Sequence, residues 1–350
     1  MHPTLRLPAT FLRVPLIMMA LSPSCGDGPG DPPRPVASVE LSPGTATLPV
    51  GATFQFTVKV KDASGRRLTG REVTWTVSNS SVASITTEGI LTGVSMGAAR
   101  VEAEVEAIAD SAGVTVLERA TSDRPDDSTG SQAHVFYVLP EGGTDRRLDV
   151  EGPIRNTLGS VQSWLAGQTG GRRLRIDTAG GLPDVTFVRL VLSDAEIGAR
   201  AEAEGRRSSE VIRDELVAAG LIGADKIAIV YYDGTEQRSG RCYEPVQGSP
   251  VLVVGFLQSC RTQNFADSPE DPMGILEIRM IHDLLHALGY VGEGAPHEIK
   301  GHVDDDPMDL LHIDGPNLGT TLLDVGGDDY YGENVPAGVL NFAESPYLTP

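Results

Sequence analysis

Apolar and polar residues alternate along segment 36–117 in a way that predicts a series of short β-strands. Residues 54–60 alternate with a period of two, residues 73–77 repeat the pattern, and 99–105 and 113–117 are further candidate strands. The Gly, Ser, Asn and Asp residues between them are typical of turns. Several short strands over about 80 residues predict an all-β sandwich.

The next segment, 118–133, contains Ser, Thr, Asp, Gly and Pro and almost no apolar residues. Such a composition is typical of a linker. The sequence therefore predicts two domains, the first over 36–117 and the second over 134–350.

The second domain shows both helical and strand periodicities. A strand is predicted at 134–140, followed by a helix over 152–168 whose apolar stripe is formed by Ile154, Leu158, Val161 and Leu165. Further strands are predicted at 173–178, 185–192, 226–233 and 251–257, and further helices over 193–219 and 273–289. This order predicts a mixed α/β fold, so the chain as a whole is expected to be multidomain.

The first 25 residues have the features of an export signal. Arg6 and Arg13 supply positive charge, and the apolar stretch 14–21 is too short to span a membrane. Small residues precede Cys25 and a polar, glycine-containing stretch follows it, which resembles a bacterial lipoprotein cleavage site. The resemblance implies a lipid on Cys25 and a tether over 26–35. Ordinary signal cleavage, with Cys25 as a spare thiol, is the alternative.

The chain has three cysteines, and their number agrees with export. If Cys25 carries a lipid, Cys242 and Cys260 remain to pair in an oxidising compartment. A disulfide between them is therefore predicted, with two free thiols or a metal site as alternatives that the absence of a C-x-x-C pair disfavours.

The formal net charge of −20 limits the classes of partner. It argues against binding nucleic acid, or an anionic membrane surface, through charge. Contact with a membrane is expected only through a lipid anchor at Cys25, and the protein is expected at the bacterial cell envelope or outside the cell.

Five of the seven histidines lie between His282 and His312. His282 and His286 are four residues apart in the predicted helix 273–289, so both imidazoles can face one metal ion. Asp283 follows the first of them directly. The run differs by one residue from the zinc-protease pattern H-E-x-x-H, because Asp283 stands where the base is normally Glu.

A catalytic zinc site normally has three protein ligands and a water, so one more ligand is required. Gly289 lies three residues after His286, where it can end the helix and turn the chain. This part of the chain resembles metzincin metallopeptidases, in which the third ligand falls three residues after such a glycine, but Gly292 stands at that position. The resemblance therefore implies that the third ligand comes from a longer loop, and His297 and His302 are the candidates.

Two stretches of the chain resemble known families. Residues 74–83, 89–93 and 97–101 resemble a bacterial Ig-like domain of group 2. That resemblance implies a sandwich that acts as a spacer or an adhesion module. The absence of a polar cluster favours the spacer.

The histidine region resembles a metzincin metallopeptidase with a spaced third histidine, as in leishmanolysin-type enzymes. The resemblance rests on the helix, Gly289, a longer insertion, and His302 followed by 306–311. It implies a mixed α/β peptidase domain that binds Zn²⁺ through His302 as third ligand, with His297 beside the site or in contact with substrate. Leu311 stands where the turn beneath the metal normally has Met, and Met308 lies three residues early; Leu is close to Met in volume.

The expected activity is zinc-dependent hydrolysis of a protein or peptide substrate, with Asp283 as general base. The Asp283 carboxylate is one methylene, roughly 1.5 Å, shorter than that of Glu, and a displacement of about 1 Å can lower a rate about 100-fold. A weakened or inactive peptidase-like surface protein that binds or adheres is therefore the alternative, and a zinc amidase acting on cell wall is a third reading.

The acidic stretches 304–306 and 324–329 offer oxygen ligands to a structural calcium ion. Their spacing matches no EF-hand loop. A solvated acidic loop is the alternative, and the residue pattern favours it.

Overall fold

The computed structural model describes residues 34–236, 241–260, 265–315 and 320–350. The predicted signal segment, Cys25 and most of the tether lie outside the described residues. Within those ranges, no helix has both the length and the apolar character that crossing a membrane requires.

The N-terminal domain consists of ten short strands in three sheets. They are β1 (Ser38–Ser42), β2 (Thr45–Pro49), β3 (Thr53–Gln55), β4 (Thr57–Lys61), β5 (Arg67–Leu68), β6 (Thr74–Val77), β7 (Ala83–Ile85), β8 (Ile90–Gly93), β9 (Gly97–Val105) and β10 (Ile108–Leu117). The sheets have the orders β1-β4-β5, β2-β10-β9-β6 and β3-β8-β7. In β10, Val114 and Val116 are buried and Thr115 between them is exposed, because successive side chains of a strand point to opposite faces.

The prediction of a single strand over 54–60 is wrong. The chain leaves the strand conformation at Phe56, whose N–H donates to the carbonyl of Gly89 at 3.0 Å. As a result β3 pairs with β8, whereas β4 pairs with β1 in a different sheet. The alternation continues through Phe56 because that ring is still buried in the core, so the pattern gave no sign of the break.

The predicted linker contains no helix or strand before its last residue, Ala133, where β11 begins, but it packs against the second domain. Arg119 forms ion pairs at 2.6 Å with both Asp145 and Asp149, and its guanidinium lies 3.6 Å from the ring centre of Phe187. Ala120 accepts a hydrogen bond from the N–H of Phe187. These contacts fix the first residues of the segment against the domain that follows.

The C-terminal domain is built on one five-stranded sheet, with two small two-stranded sheets beside it. The strands of the domain are β11 (Ala133–Leu139), β12 (Thr178–Ala179), β13 (Leu182–Pro183), β14 (Val185–Arg189), β15 (Ile227–Tyr232), β16 (Tyr243–Val246), β17 (Leu252–Phe256), β18 (Glu298–Ile299) and β19 (His302–Val303). Its helices are α1 (Pro153–Thr169), α2 (Asp194–Ala203), α3 (Ser208–Ala218) and α4 (Ile275–Ala287), with a short 3₁₀ helix at Phe342–Glu344.

The main sheet has the order β14-β11-β15-β17-β16. The first four strands are parallel, and β16 runs antiparallel to β17 at the edge. Val135 and Tyr137 of β11 join the core that contains α1 and α4, whereas Phe136 and Val138 join the core that contains α2 and α3. Both faces are therefore covered by helices, which is why β11 is apolar at almost every position.

Two predictions for this domain need correction, and its edge strand was missed. The strand predicted at 173–178 is reduced to isolated bridges, of Leu174 with Leu348 and of Ile176 with Ala133, before β12 begins. The helix predicted over 193–219 is two helices, separated near Gly205, whose φ of +64° is unsuited to a continuing helix. The edge strand β16 was not predicted, because Glu244 and Pro245 interrupt its apolar pattern.

The predicted disulfide between Cys242 and Cys260 is present. Cys242 directly precedes β16, and Cys260 follows the turn after β17. The bond therefore ties the edge strand to its neighbour at one end of the sheet.

Candidate metal centre

Helix α4 carries the first two predicted ligands, and side-chain and backbone hydrogen bonds define both of its ends. At its start the N–H of Gly274 donates to the carboxylate of Glu277 at 3.0 Å. At its end Gly289 has a φ of +88° and donates to the carbonyl of His286, while the N–H of Tyr290 donates to the carbonyl of Leu285, both at 3.1 Å. This pair of bonds is the Schellman arrangement, which requires a residue that tolerates positive φ. Gly289 therefore ends the helix as its position in the sequence predicts.

The apolar face of α4 packs into the core and its other face lines a cleft. The core-facing side chains are Leu276, Ile278, Met280, Ile281, Leu284 and Leu285. The cleft-facing side chains are Ile275, Arg279, His282, Asp283 and His286. Their spacing follows the helical repeat, so the sequence pattern alone places the two histidines and Asp283 on one face.

His282, His286 and His302 come together in the structure. One ring nitrogen of each lies within 4.8 Å of one ring nitrogen of the other two, and the ring centres are 4.5 to 5.6 Å apart. Two nitrogens that each bind a tetrahedral zinc at about 2.1 Å are roughly 3.4 Å apart. Small side-chain movements would therefore bring the three nitrogens to bonding distance of one ion.

The ring of His282 is held in the orientation that a ligand needs. Its Nδ1–H donates to the backbone carbonyl of Leu310 at 2.7 Å, which leaves the lone pair of Nε2 available. Burial lowers the pKa of His282 to about 3, so the ring is neutral near pH 7. A neutral imidazole with one nitrogen fixed by a carbonyl is the form that binds a metal ion.

His286 has a ring nitrogen that is free to bind an ion. Its Nε2 is buried and has no hydrogen-bond partner within the described part of the chain. Burial also lowers the pKa of His286 to about 4, which keeps the ring neutral. A buried ring nitrogen without a partner costs about 1–3 kcal/mol, and a metal ion would use its lone pair. The three histidines therefore fit a zinc ion.

His302 is positioned by a two-residue hairpin that joins β18 to β19. The central residues Lys300 and Gly301 both have positive φ, at 54° and 78°, as a type I′ turn requires. Glu298 supports the turn by accepting the N–H of Gly301 at 2.7 Å. His302 is the first residue after the turn and pairs with Ile299, so the hairpin places the imidazole at the mouth of the cleft.

His297, the alternative third ligand, lies in a different place. Its backbone N–H and its Nδ1–H both donate to the carboxylate of the buried Asp329, at 2.8 and 2.9 Å. It groups with Asp328 and Asp329, and not with His282 and His286. The hydrogen bond to Asp329 raises the pKa of His297.

The segment that follows His302 supports the site through its backbone. Asp309 is fully buried, and its carboxylate accepts the N–H of Leu311 at 2.7 Å, the N–H of Val325 at 3.0 Å and the hydroxyl of Tyr330 at 2.8 Å. Burial raises the pKa of Asp309 to about 7, and the three donors act against that rise. These bonds fix the turn from which Leu310 presents its carbonyl to His282.

Leu311 and Met308 have opposite environments in this turn. Leu311 is fully buried in the core of the domain, whereas the Met308 side chain is 38% exposed. Leu311 therefore fills the apolar position of the turn, and Met308 does not.

Exchanging Asp309 for Asn is expected to loosen this turn. One carboxylate oxygen becomes an amide N–H₂, which cannot accept the N–H of Leu311 or Val325, and an unpaired buried donor costs about 1–3 kcal/mol. Because the Leu310 carbonyl then shifts, zinc affinity should fall about tenfold. Urea denaturation and zinc titration of the full chain measure the two effects.

Asp306→Asn is the matched control for that exchange. Asp306 lies in the same turn, and among the described residues its carboxylate accepts a hydrogen bond from the N–H of Met308 alone, at 2.8 Å, which an Asn side-chain oxygen can also accept. Equal losses in the two variants would contradict the role given to Asp309.

Asp283 lines the same cleft as the three histidines. Its carboxylate makes no hydrogen bond to any described residue. Burial raises the pKa of Asp283 to about 7, while the positive charges of Arg279 and Arg241 lower it. A carboxylate without a structural partner beside three histidines is available to exchange a proton with a bound molecule.

The cleft has a volume of about 700 Å³. Beyond the helix face of α4 and the hairpin residues Lys300, Gly301 and His302, its walls include Arg207, Arg241, the disulfide, Tyr243, Pro245, Gln247 and Ser259. Sequence reasoning missed Tyr243, whose hydroxyl is buried and lacks a hydrogen-bond partner among the described residues. Tyr243 lies in the edge strand β16. The apolar pattern does not show that strand, so the sequence gave no indication of this residue.

The acidic loop after Thr321 is held by its own backbone. One carboxylate oxygen of Asp324 accepts the N–H groups of Asp329, Tyr330 and Tyr331, at 2.6 to 3.2 Å. Asp304 and Asp305 of the other acidic stretch are exposed. A structural calcium ion stays a prediction.

Among curated proteins, none matches the sequence of this chain. Domains 4 and 5 of the S-layer protein SbsC are 20% identical with a TM-score of 0.22, over 23% of this chain and 52% of that chain. The Escherichia coli adhesin FdeC is 19% identical with a TM-score of 0.22, over 28% of this chain and 38% of that chain. A GH10 xylanase from termite gut that contains a bacterial Ig-like domain is 11% identical with a TM-score of 0.18, over 69% and 58%. The chain thus spans about half the length of the first of these structures.

The N-terminal domain has a family match. Residues 35–116 match the bacterial Ig-like domain of group 2, within one residue at each end of the predicted 36–117. The first domain of this chain is therefore a bacterial Ig-like domain of group 2, as its sequence predicts.

Proposed function

We propose that the C-terminal domain is a zinc-dependent peptidase in an exported protein. The observation that carries the proposal is the convergence of His282, His286 and His302, with a buried His286 nitrogen that has no hydrogen-bond partner among the residues that the structure describes. The open cleft beside these histidines, and the Asp283 carboxylate in its wall, support a role in hydrolysis rather than a closed structural site.

The three imidazoles would hold the ion through one nitrogen each, and the Leu310 carbonyl keeps the His282 ring in place. A zinc ion bound there supplies a Lewis acid that polarises the scissile carbonyl and lowers the pKa of water towards about 7. Asp283 takes the proton from the attacking water and delivers it to the leaving amine. The chain thus provides both the ligands and the proton carrier that peptide hydrolysis requires.

Three features support export and a place at the cell surface. The Ig-like domain belongs to a bacterial group, the second domain contains a disulfide, and the leader has the features of a signal with a lipid-bearing Cys25. In this proposal the Ig-like domain is a spacer that holds the peptidase domain away from the envelope, and a lipid is the membrane anchor.

Metal analysis of the purified full chain tests the proposal. About one zinc per chain is expected after reconstitution near neutral pH. Hydrolysis of a casein-type protein substrate should disappear after chelation and return when zinc, but not magnesium, is added back. A chain without bound zinc would contradict the proposal, because His282, His286 and His302 would then not form a metal site.

The second candidate is a peptidase-like surface protein that binds a partner without cleaving it. Asp283 favours this reading, because its carboxylate is shorter than that of the usual Glu. Bound zinc with no hydrolysis of any protein or peptide would support it. Hydrolysis of cell-wall peptides alone would instead favour the amidase.

A further inference from the structure

The cleft beside the histidines has a charge opposite to that of the whole chain. Apart from histidines, five charged residues of the described ranges line it, and four of them are basic: Arg207, Arg241, Arg279 and Lys300. In the chain as a whole, acidic residues outnumber basic ones by 48 to 28. The fifth charged residue of the cleft is Asp283.

Arg279 lies on α4, one turn before Asp283, and its side chain is partly buried. It forms no ion pair or hydrogen bond with any described residue, although Asp283 is at the i+4 position where a pair is possible. Its charge lowers the pKa of both Asp283 and His282, so its field reaches the candidate metal centre.

Lys300 and Arg207 place two more cations around the same cleft. Lys300 is exposed in the hairpin turn beside His302, and Arg207 is exposed at the start of α3. Neither side chain forms an ion pair with a residue in the described ranges. Arg241 has an interaction of its own, which leaves Arg279, Arg207 and Lys300 as the cleft cations without an ion pair to a described residue. These come from three different elements and surround the cleft.

Acidic residues near this wall do not neutralise it. Glu244 is buried behind the wall, where it accepts the N–H of Ser209 at 3.2 Å. The internal segments 237–240, 261–264 and 316–319 contain no Asp or Glu in the sequence. The three cations therefore remain available to a bound molecule.

We propose that this cleft selects acidic peptides, so that the carboxylates of a substrate contact Arg279, Arg207 and Lys300. The inference rests on the proposed function, because it names the substrate class of that same site. The net charge of −20 does not prevent it. Charges more than about 8–10 Å away are screened at physiological salt, whereas cations in the cleft wall act at short range.

Fluorescence anisotropy of the metal-free full chain tests this selection without any need for hydrolysis. The probes are a Gly- and Ala-rich peptide with several Glu residues and the same peptide with Gln at those positions, both with a zwitterionic dye. The Glu peptide should bind at least about tenfold more tightly, and its advantage should shrink as salt rises.

Variants on separate elements assign the binding to the cleft. The double variant Arg207→Gln/Arg279→Gln should bind the Glu peptide about tenfold more weakly. Lys300 lies on a different element, the hairpin turn. Lys300→Asn, which keeps a residue suited to positive φ, should weaken binding of the Glu peptide by a smaller factor. Arg173→Gln removes an exposed charge outside the cleft and should have no effect.

Equal binding of the Glu and Gln peptides would overturn the inference, and so would an equal loss in Arg173→Gln. Competition by inorganic phosphate as strong as that by the Glu peptide would also overturn it, since the site would then bind any anion. Failure of the proposed function would give a different result from failure of this inference. Absence of zinc would leave peptide binding unchanged, whereas hydrolysis without preference for Glu would contradict the inference alone.

Discussion

Replacing His302 with asparagine is expected to lower zinc affinity by at least about 100-fold. A zinc site of about 10–16 kcal/mol shared among four ligands gives roughly 3 kcal/mol to each. His302 is only partly buried and lies at a hairpin end, so its loss should leave the fold intact. Titration of the full chain against a chromogenic zinc chelator measures the affinity, and hydrolysis should be lost in parallel.

His297→Asn is the control for that variant. An asparagine side chain can still donate to Asp329, as the His297 ring does now. Zinc affinity should therefore equal that of the unmodified chain. Unchanged affinity in His302→Asn, or an equal loss in both variants, would contradict the three-histidine site.

Exchanging Asp283 for Glu is expected to raise hydrolysis about 100-fold if Asp283 is a weakened base. The additional methylene moves the carboxylate by roughly 1.5 Å, and a misplacement of 1 Å can cost about that factor. Asp283→Asn should lower hydrolysis about 100- to 10,000-fold, because it removes the proton acceptor. Both variants should keep one zinc per chain, and kcat/KM on one peptide compares them.

Asp283→Gln separates the effect of a proton acceptor from the effect of a longer side chain. Gln has the length of Glu but cannot accept a proton near neutral pH, so it should be as slow as Asn. A Glu variant no faster than the unmodified chain, with zinc bound, would favour the binding protein over the peptidase.

Much of the scaffold of the site could be predicted from local patterns. The face shared by His282, Asp283 and His286 follows from helical periodicity, and Gly289 ends the helix because its φ is positive. Strand β11 is predicted from a run in which every residue except His134 is apolar. In each case the pattern that carries the prediction lies within a few residues along the chain.

Features that depend on distant residues could not be predicted. The carbonyl of Leu310 holds His282 through a backbone atom, and no side chain in the sequence indicates it. The break at Phe56 depends on the hydrogen bond to Gly89, and β16 depends on pairing with β17. The separation of His297 from His282 and His286 likewise follows from its contacts with Asp329.

The hairpin that carries His302 has a consequence for how such sites can vary. Its register is set by strand pairing beyond the hairpin, where Val303 accepts the N–H of Ile313 and donates to the carbonyl of Leu311. The length of chain between Gly289 and Glu298 therefore does not set the position of the imidazole. Residues could be inserted or removed in that interval without displacing His302, so a search that demands a fixed spacing after the helix would miss proteins built this way.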